Sequence, residues 1–516
     1  MKKNRLLRIK LACGIGIWMI SALACARAFP TQESSALAFN PIVTPFVATD
    51  ASIQVSATQE IPPTLAAPED TATPDEPRVL PTLRTNPETY VIQEGDTLNN
   101  IARLYQISLE SLEAANPNVI PNWLVVGDSL TIPVPPPQTS GSDFKIIPDS
   151  VLVYSPSSAD FDIQAFVDQH GGYLSTYSEK VDGEYVSGAQ IIQRVASEYS
   201  VNPRLLLAVL EYQSQWVTSS NPPSDTLTYP IRMYDFNRVG SGLFYQISWA
   251  ANNLNYGFYA WLANGVSHWI LSDGGLVPIS PTINAGTAGV QALMATVDAR
   301  ATWDNAVSSK GIYATYTTLF GSPFQYSMDD LLPGNLTQPT MDWLMEKGTT
   351  WYFTSGPHSA WDTLSAWAAL DFAPPEQLGC QTSPSWVLAV ADGIITRSWN
   401  GEVVLDLDGD GVEQTGWSVL YMHIAAEDRI AVGAVVRAGD RIGHASCEGG
   451  ISTGAHVHIA RRYNGVWIAA DSNLPFNLDG WISQGSNATE YDGILVKGNQ
   501  TITAWNGRSS INEIHP

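Results

Sequence analysis

Two histidines one residue apart, His456 and His458 in the stretch "GISTGAHVHIARR" (450–462), are the residues best placed to do chemistry. On a strand, residues i and i+2 share a face, so both imidazoles can look into one site. Five of the chain's eight histidines fall in this part of the sequence: His358, His423, His444, His456 and His458. A catalytic zinc site takes three protein ligands and keeps a position for water. No H-E-x-x-H helix occurs, so the glutamate base of that metalloprotease class is missing. A histidine would then have to take the proton of the attacking water, which suits an imidazole titrating near neutral pH. The pair alone stays open to three readings: two metal ligands, one ligand beside a base, or two ordinary strand residues. Partners elsewhere in the chain must decide.

The elements that would position these residues are short. From about residue 346 the pieces "WVLAVADGIITRSW", "GEVVLDLDG", "WSVLYMHIA", "RIAVGAVVRAGDRIGHA" and "AHVHIARRY" are β-rich and broken by Gly, Asp and Asn, which predicts a β-dominated domain. Beyond the leader, only Cys380 and Cys447 remain. In an oxidising compartment an isolated pair is a disulfide candidate, and neither cysteine has the C-x-x-C spacing of a zinc ligand. "DLDGDGVEQTGW" (406–417) alternates Asp406, Asp408 and Asp410 before Gly411, but position 12 of an EF-hand loop is here Trp417. A polar hairpin turn is the favoured reading of that stretch, and a calcium loop the alternative.

Together, "GPHSAWDTLSAWAALDFAP", "VLAVADGII", "LYMHIA" and "VGAVVRAGDRIGHASCEGGISTGAHVHIA" resemble the lysostaphin-like and β-lytic peptidoglycan metalloendopeptidases over about 350–470. The resemblance implies a zinc ion held by His358, Asp371 and His458. It implies His456 and His423 as the catalytic pair that activates water and stabilises the intermediate. In the lysostaphin branch the first His and Asp are spaced H-x-x-x-D, which "HSAWD" offers through Asp362. "ALDFAP" has the family's surroundings for the metal aspartate, and the longer separation is that of the β-lytic branch, so Asp371 is preferred and Asp362 is the fallback. His444 fits no role in the family and is expected in a loop. Relatives with decayed metal sites exist, so a non-catalytic wall-binding regulator or scaffold of other hydrolases is the rival; the intact ligand set speaks against it.

Upstream, "YVIQEGDTLNNIARLYQISLESLEAANPNVIPNWLVVGDSLTIP" (90–133) predicts a strand, a turn, two helices capped at Thr97 and Ser108, and a closing strand. This pattern resembles a LysM module. The resemblance implies binding of N-acetylglucosamine-containing glycans such as peptidoglycan, around Gly95, Asp96 and Thr97 and around Asn116 and Pro117. Residues 145–345 read as mostly helical, with a capping box at Ser187 and Gln190 and an Asn202-Pro203 start for "RLLLAVLEYQSQW". "ASEYSVNPRLLLAVLEYQSQW" resembles the opening of lysozyme-like lytic transglycosylases, whose catalytic glutamate precedes a serine. Here the matching pair is Gln213-Ser214, and an amide cannot donate and recover a proton. Glu211 lies two residues away, on another face of the helix. A helical domain inactive towards glycan is the expectation.

The termini and composition complete the picture. Five basic residues in 1–10 and the apolar run "LACGIGIWMISALA" (11–24) read as an export signal, too short for a comfortable membrane span. "ALAC" would lipidate Cys25, whereas "ARA" would allow release after Ala28. Residues 29–87, rich in Pro, Thr, Ala and Ser, read as a linker, as do 135–144. The formal net charge of −24 excludes a nucleic-acid groove. A length of 516 residues is too great for one ordinary core. The expected fold is multidomain α+β: a βααβ LysM module at 88–134, a mostly helical lysozyme-like domain at 145–345, an antiparallel β-dominated zinc domain at 346–480, and a C-terminal β extension at 481–516. The implied cofactor is Zn2+, and the implied partner is peptidoglycan, both glycan strands and cross-link peptides. Membrane contact is expected only through the signal or a lipid anchor, and the location is the cell envelope or beyond.

Overall fold

The computed structural model describes Arg78 and residues 84–516, apart from 94–95, 99–100, 103–104, 106, 122, 135–139, 235–239, 329, 377–378 and 487–488. The leader, Cys25, most of the 29–87 linker and Gly95 therefore lie outside the described residues. Among those described, no helix is long and apolar enough to cross a membrane.

The 88–134 segment closes as read. Strand Glu88–Val91 pairs antiparallel with Ser129–Ile132, and helix Leu109–Ala115 starts at Ser108, whose hydroxyl accepts the Ser111 amide. The closing strand is four residues long, because Val125–Asp128 turns before it joins the ladder. Leu98, Ile101, Ile107, Leu112, Leu130 and Ile132 form its small separate core.

In the middle region, helix Gly188–Tyr199 opens with the reciprocal Ser187–Gln190 capping box. Helix Pro203–Ser214 starts on the Asn202 cap and ends at Gln215, which turns left-handed at φ 58°. That stop comes two residues before the apolar run does, so Trp216 is buried from a loop rather than from the helix. Two short hairpins, Ser178–Val181 with Glu184–Ser187 and His268–Ile270 with Leu276–Pro278, lie among the helices of this mostly helical region. The central contact is between helices Leu243–Leu262 and Ala285–Val297. A Cβ on Gly257 would stand 2.5 Å from the Ala288 carbonyl oxygen and 2.7 Å from the Gly289 Cα, so the backbones meet only because these positions are glycine. Gly257→Ala is therefore expected to destabilise the protein by about 1–3 kcal/mol, the usual range for overpacking. Chemical denaturation checks this, and an unchanged midpoint would refute the close approach.

From residue 351 a nine-stranded antiparallel sheet takes over. Its path runs Val435–Val436, Gly393–Trp399, Glu402–Asp406, Trp417–Met422, Val457–Tyr463, Ala369–Ala373, Trp351–His358 and Glu513–Ile514, with Val466–Trp467 beside Val457–Tyr463. Within the stretch expected as a C-terminal β extension, Glu513–Ile514 closes the sheet's edge, and 481–503 adds three strands of a four-stranded sheet. Alternation along the strands sorts the side chains. Leu370, Phe372, Val419, Tyr421, Val457 and Ile459 pack into one core, while Ala369, Leu420, Met422 and Ala460 join the core of the helical region. The helical region thus covers part of one sheet face, the face that also carries the Asp371 and His458 side chains. Buried charges bind the same junction: Arg462 donates to Glu413 at 2.8 Å, and Arg397 pairs with Glu402 and Glu413.

Candidate metal centre

The site grows from the pairing of two strands. His458 on Val457–Tyr463 stands directly opposite Asp371 on Ala369–Ala373, so both side chains leave the same face. His358 stands two positions along, opposite Ala369, and reaches that place because the register between its strand and Ala369–Ala373 shifts twice, at Phe353/Ser355 and Ser355/His358. Such bulges re-aim side chains, and here they carry His358 to the other two. Three donor atoms then form a small triangle. His358 Nε2 lies 2.9 Å from His458 Nδ1, and each lies 3.2 Å from Asp371 Oδ1.

The outer nitrogen of each ring is committed to the backbone. His358 Nδ1 donates to the Gly356 carbonyl at 2.8 Å, and His458 Nε2 donates to the Ala360 carbonyl at 3.0 Å. These bonds fix the tautomers and leave a lone pair on each inner nitrogen, the arrangement that orients metal-ligating histidines. Asp371 Oδ1 is buried with no hydrogen-bond donor of its own. Burial alone would raise Asp371, but the His358 and His456 rings hold it well below the ordinary carboxylate range. His358, which burial would lower, is raised by that carboxylate, while burial lowers His458. A buried anion between two inward lone pairs calls for a cation. Ligands 2.0–2.2 Å from one tetrahedral ion stand about 3.3 Å apart, so this donor set fits zinc.

His423 and His456 stand beside the triangle, with ring centroids 4.4 Å apart. They repeat the same device. His423 Nδ1 donates to the Glu448 carbonyl at 3.0 Å, His456 Nδ1 donates to the Gly454 carbonyl at 2.8 Å, and His456 Nε2 is 3.8 Å from Asp371 Oδ2. His423 follows directly on strand Trp417–Met422 and takes φ 64°, breaking the strand's alternation. Left-handed backbone on a non-glycine residue is uncommon and concentrates at functional sites. Burial, together with the neighbouring His456 and His458, pushes His423 down to about 3, so this ring is neutral.

Cys380 and Cys447 are bonded, Cα–Cα 5.2 Å, as the composition predicted. With the Ala455 amide donating to the Gly379 carbonyl, the bridge fastens the loop that presents Glu448 to His423. Asp362 is elsewhere: its carboxylate accepts the Tyr199 hydroxyl at 2.9 Å, tying the 359–368 loop to the helical region. His444 is a correction to the loop expectation. It closes strand Arg441–His444, packs its ring on Trp386 and donates Nδ1 to the Ser385 carbonyl. Tyr491 was not foreseen; from strand Thr489–Lys497, at φ 74°, it stacks on His358 with centroids 4.8 Å apart. Only a glycine two residues before His358 and His456 hinted at the carbonyl contacts. A Cβ on Gly356 would meet the Asp492 carbonyl oxygen at 2.5 Å.

The other expected positions are also clear. Asn116 braces its module, donating to Leu112 and Thr131 and accepting the Thr131 amide. The Asp96 carboxylate holds the Tyr90 hydroxyl and the Gln93 amide. Thr97 and Pro117 are exposed, as are Ile120 and Trp123, the last by 74 %. Gln213 is buried on its helix at the edge of a polar cavity shared with Tyr212, Arg232, Asp298 and Thr302. Glu211 accepts the Val217 and Thr218 amides and so holds the turn after that helix.

Three stretches of the chain match known family models, and the middle one matches the LasA N-terminal domain where a lysozyme-like domain was expected. Residues 90–133 match the LysM domain model, 145–334 the model of the LasA N-terminal domain, and 370–470 that of peptidase family M23. The chain is 24 % identical over 346 residues to Protease LasA of Pseudomonas aeruginosa strain UCBPP-PA14, covering 62 % of this chain and 74 % of that protein. It is 49 % identical over 47 residues to Intracellular hyphae protein 1 of Colletotrichum lindemuthianum, covering 9 % of this chain and 20 % of that protein. Among solved structures, the M23 metalloprotease pseudoalterin from the deep sea aligns at 23 % identity over 33 % of this chain and 97 % of its own, with a TM-score of 0.26. The chain carries a LysM domain, a LasA N-terminal-type region and an M23 peptidase domain. The M23 match includes Asp371, His423, His456 and His458, and the sheet brings His358 to them from just upstream.

Proposed function

We propose that this protein is an exported zinc endopeptidase that hydrolyses peptide bonds in the cross-links of peptidoglycan. The observation that carries the reading is the triangle of His358 Nε2, His458 Nδ1 and Asp371 Oδ1, three inward donors with no competing hydrogen-bond donor on the carboxylate oxygen. A zinc ion held there supplies Lewis acidity towards a scissile carbonyl and lowers the pKa of water. His423, neutral and with its Nε2 lone pair free, accepts the proton of the attacking water. His423 then returns that proton to the leaving amine, while His456, 4.4 Å away ring to ring, stands beside the developing oxyanion. Tyr491 bounds the site on the His358 side and orders the substrate chain.

The LysM module holds the enzyme on glycan through the exposed surface around Thr97 and from Pro117 to Trp123, raising the local substrate concentration. Trp123→Ala is expected to weaken sedimentation of the full-length protein with insoluble peptidoglycan roughly tenfold, the loss of about 1–2 kcal/mol for an exposed aromatic anchor. Unchanged sedimentation would place the glycan surface elsewhere. The Cys380–Cys447 bond suits an oxidising compartment and supports export, with the chain either lipid-anchored at Cys25 or released.

Digestion of purified peptidoglycan by the wild type and His458→Ala, with mass analysis of the soluble products, tests the whole. Zinc-dependent release of peptides by the wild type alone is expected. Absence of peptide release would leave a wall-binding scaffold, and release of anhydro-sugars would point instead to the helical region.

A further inference from the structure

The loop 406–416, between strands Glu402–Asp406 and Trp417–Met422, holds a second cluster of ligand type, remote from the histidines in sequence and made only of oxygens. Asp406, Asp408 and Asp410 each bring a carboxylate oxygen to within 4.8 Å of the others. Gly409 and Gly411 turn left-handed at φ 77° and 83°, and the three aspartates occupy alternate positions, Asp406 buried and Asp408 and Asp410 exposed. The hydrogen bonds of an ordinary hairpin account for most of the oxygens. Gly411 donates to Asp406 Oδ2, the Asp410 amide to Asp408 Oδ1, Val412 to Asp410 Oδ1, and the Thr415 hydroxyl to Asp410 Oδ2.

Two oxygens are left over, Asp408 Oδ2 on the exposed side and Asp406 Oδ1, which is buried. Asp406 is fully inaccessible, and its Oδ1 has no donor. A sealed carboxylate oxygen without a partner carries a large desolvation cost. Among the described residues no Arg, Lys or His pairs with any of the three aspartates, although Glu413 in the same loop has two arginines. Burial, with Asp408 and Asp410 beside it, pushes Asp406 up to about 7, a cost that a proton or a cation would relieve. A polar turn explains the loop's shape but not this arrangement.

We infer that Asp406, Asp408 and Asp410 form a calcium site, structural and separate from the zinc centre. An all-oxygen donor set selects a hard cation and disfavours zinc. Opposite ligands of calcium stand about 4.6–5.2 Å apart, so one ion can touch all three carboxylates, whereas magnesium demands a tighter octahedron and keeps its water. Trp417 stands where a calcium loop would place its bidentate acid, so backbone carbonyls and water must complete the shell. The dissociation constant should then fall near 10⁻⁴–10⁻³ M, about the range of extracellular calcium modules. Occupancy would stiffen the start of the strand that delivers His423 and the turn that sets Glu413 between Arg397 and Arg462.

The test uses the full-length, zinc-loaded protein and Asp408→Asn/Asp410→Asn. Both aspartates are exposed, and asparagine keeps one acceptor oxygen at each position while removing two charges; at Asp410 only one of the bonds from Val412 and Thr415 keeps its oxygen. Calcium titration followed by calorimetry should show one ion per wild-type chain and a rise in unfolding temperature. In the double variant, affinity should fall by more than about tenfold, with zinc content unchanged. Terbium luminescence excited through Trp417, and quenched by competing calcium, gives a second readout that does not depend on heat. No heat, no thermal shift and no terbium signal up to about 10 mM ion, well above the expected range, would overturn the site. Equal binding by wild type and variant would overturn it too.

Discussion

Replacing Asp371 by asparagine is expected to empty the metal centre and abolish peptide release, although it changes no shape. Oδ1 of Asp371 closes the triangle with the two imidazoles at 3.2 Å and is the only anion in it. Loss of an outer-shell partner typically lowers metal affinity 10–100-fold, and loss of the inner charged ligand should exceed about 100-fold. Zinc content after dialysis, measured by mass spectrometry, should fall from one per chain to near zero. Asp362→Asn, remote from the triangle and bound to Tyr199, should leave zinc in place. The two aspartates were the rival ligands in the sequence, so this pair of variants separates them directly. Retention of zinc by Asp371→Asn with loss from Asp362→Asn would reverse the assignment. The same carboxylate raises His358 in the metal-free chain, and zinc needs the unprotonated ring, so zinc binding should strengthen as pH rises.

His423→Ala is expected to do the opposite: zinc stays, and turnover falls by about 10²–10⁴, the range for a lost general base. His423 stands outside the triangle, and its Nδ1 is occupied by the Glu448 carbonyl, which leaves Nε2 as the atom that can take a proton. Peptide release should be measured beside zinc content and binding to peptidoglycan, because only the rate should move. A fall of less than tenfold, or a parallel loss of zinc, would remove His423 from the role of base. Reduction of the Cys380–Cys447 bond should loosen the same ring through Glu448, in a smaller version of this effect.

Much of this molecule was legible in its sequence where signals are local. The LysM strands and helices follow from short-range periodicity and caps, and the Ser187–Gln190 box and the Asn202-Pro203 start appear as read. The i, i+2 placement of His456 and His458 follows from strand geometry alone. What failed was set by neighbours distant in sequence. Helix Pro203–Ser214 stops where Gln215 turns left-handed, although the apolar run goes on. His444 joins a strand because Val387 and Trp386 offer an edge. Glu513–Ile514 completes a sheet begun more than 150 residues earlier.

The sequence by itself determined the kinds of residue available for chemistry, their order, and a preference for Asp371 over Asp362. It could not say that His358 reaches the site, because a two-step register shift, invisible to periodicity, carries it there. Nor could it say which nitrogen of each ring faces inward. Backbone carbonyls of Gly356, Ala360, Glu448 and Gly454 make that choice; two of them lie two residues from their histidine, and only the folded chain brings Ala360 to His458 and Glu448 to His423. Residue type fixes what a side chain can do. Long-range packing fixes the few ångströms and the tautomer that decide whether it does it, because donor geometry falls outside anything encoded by near neighbours.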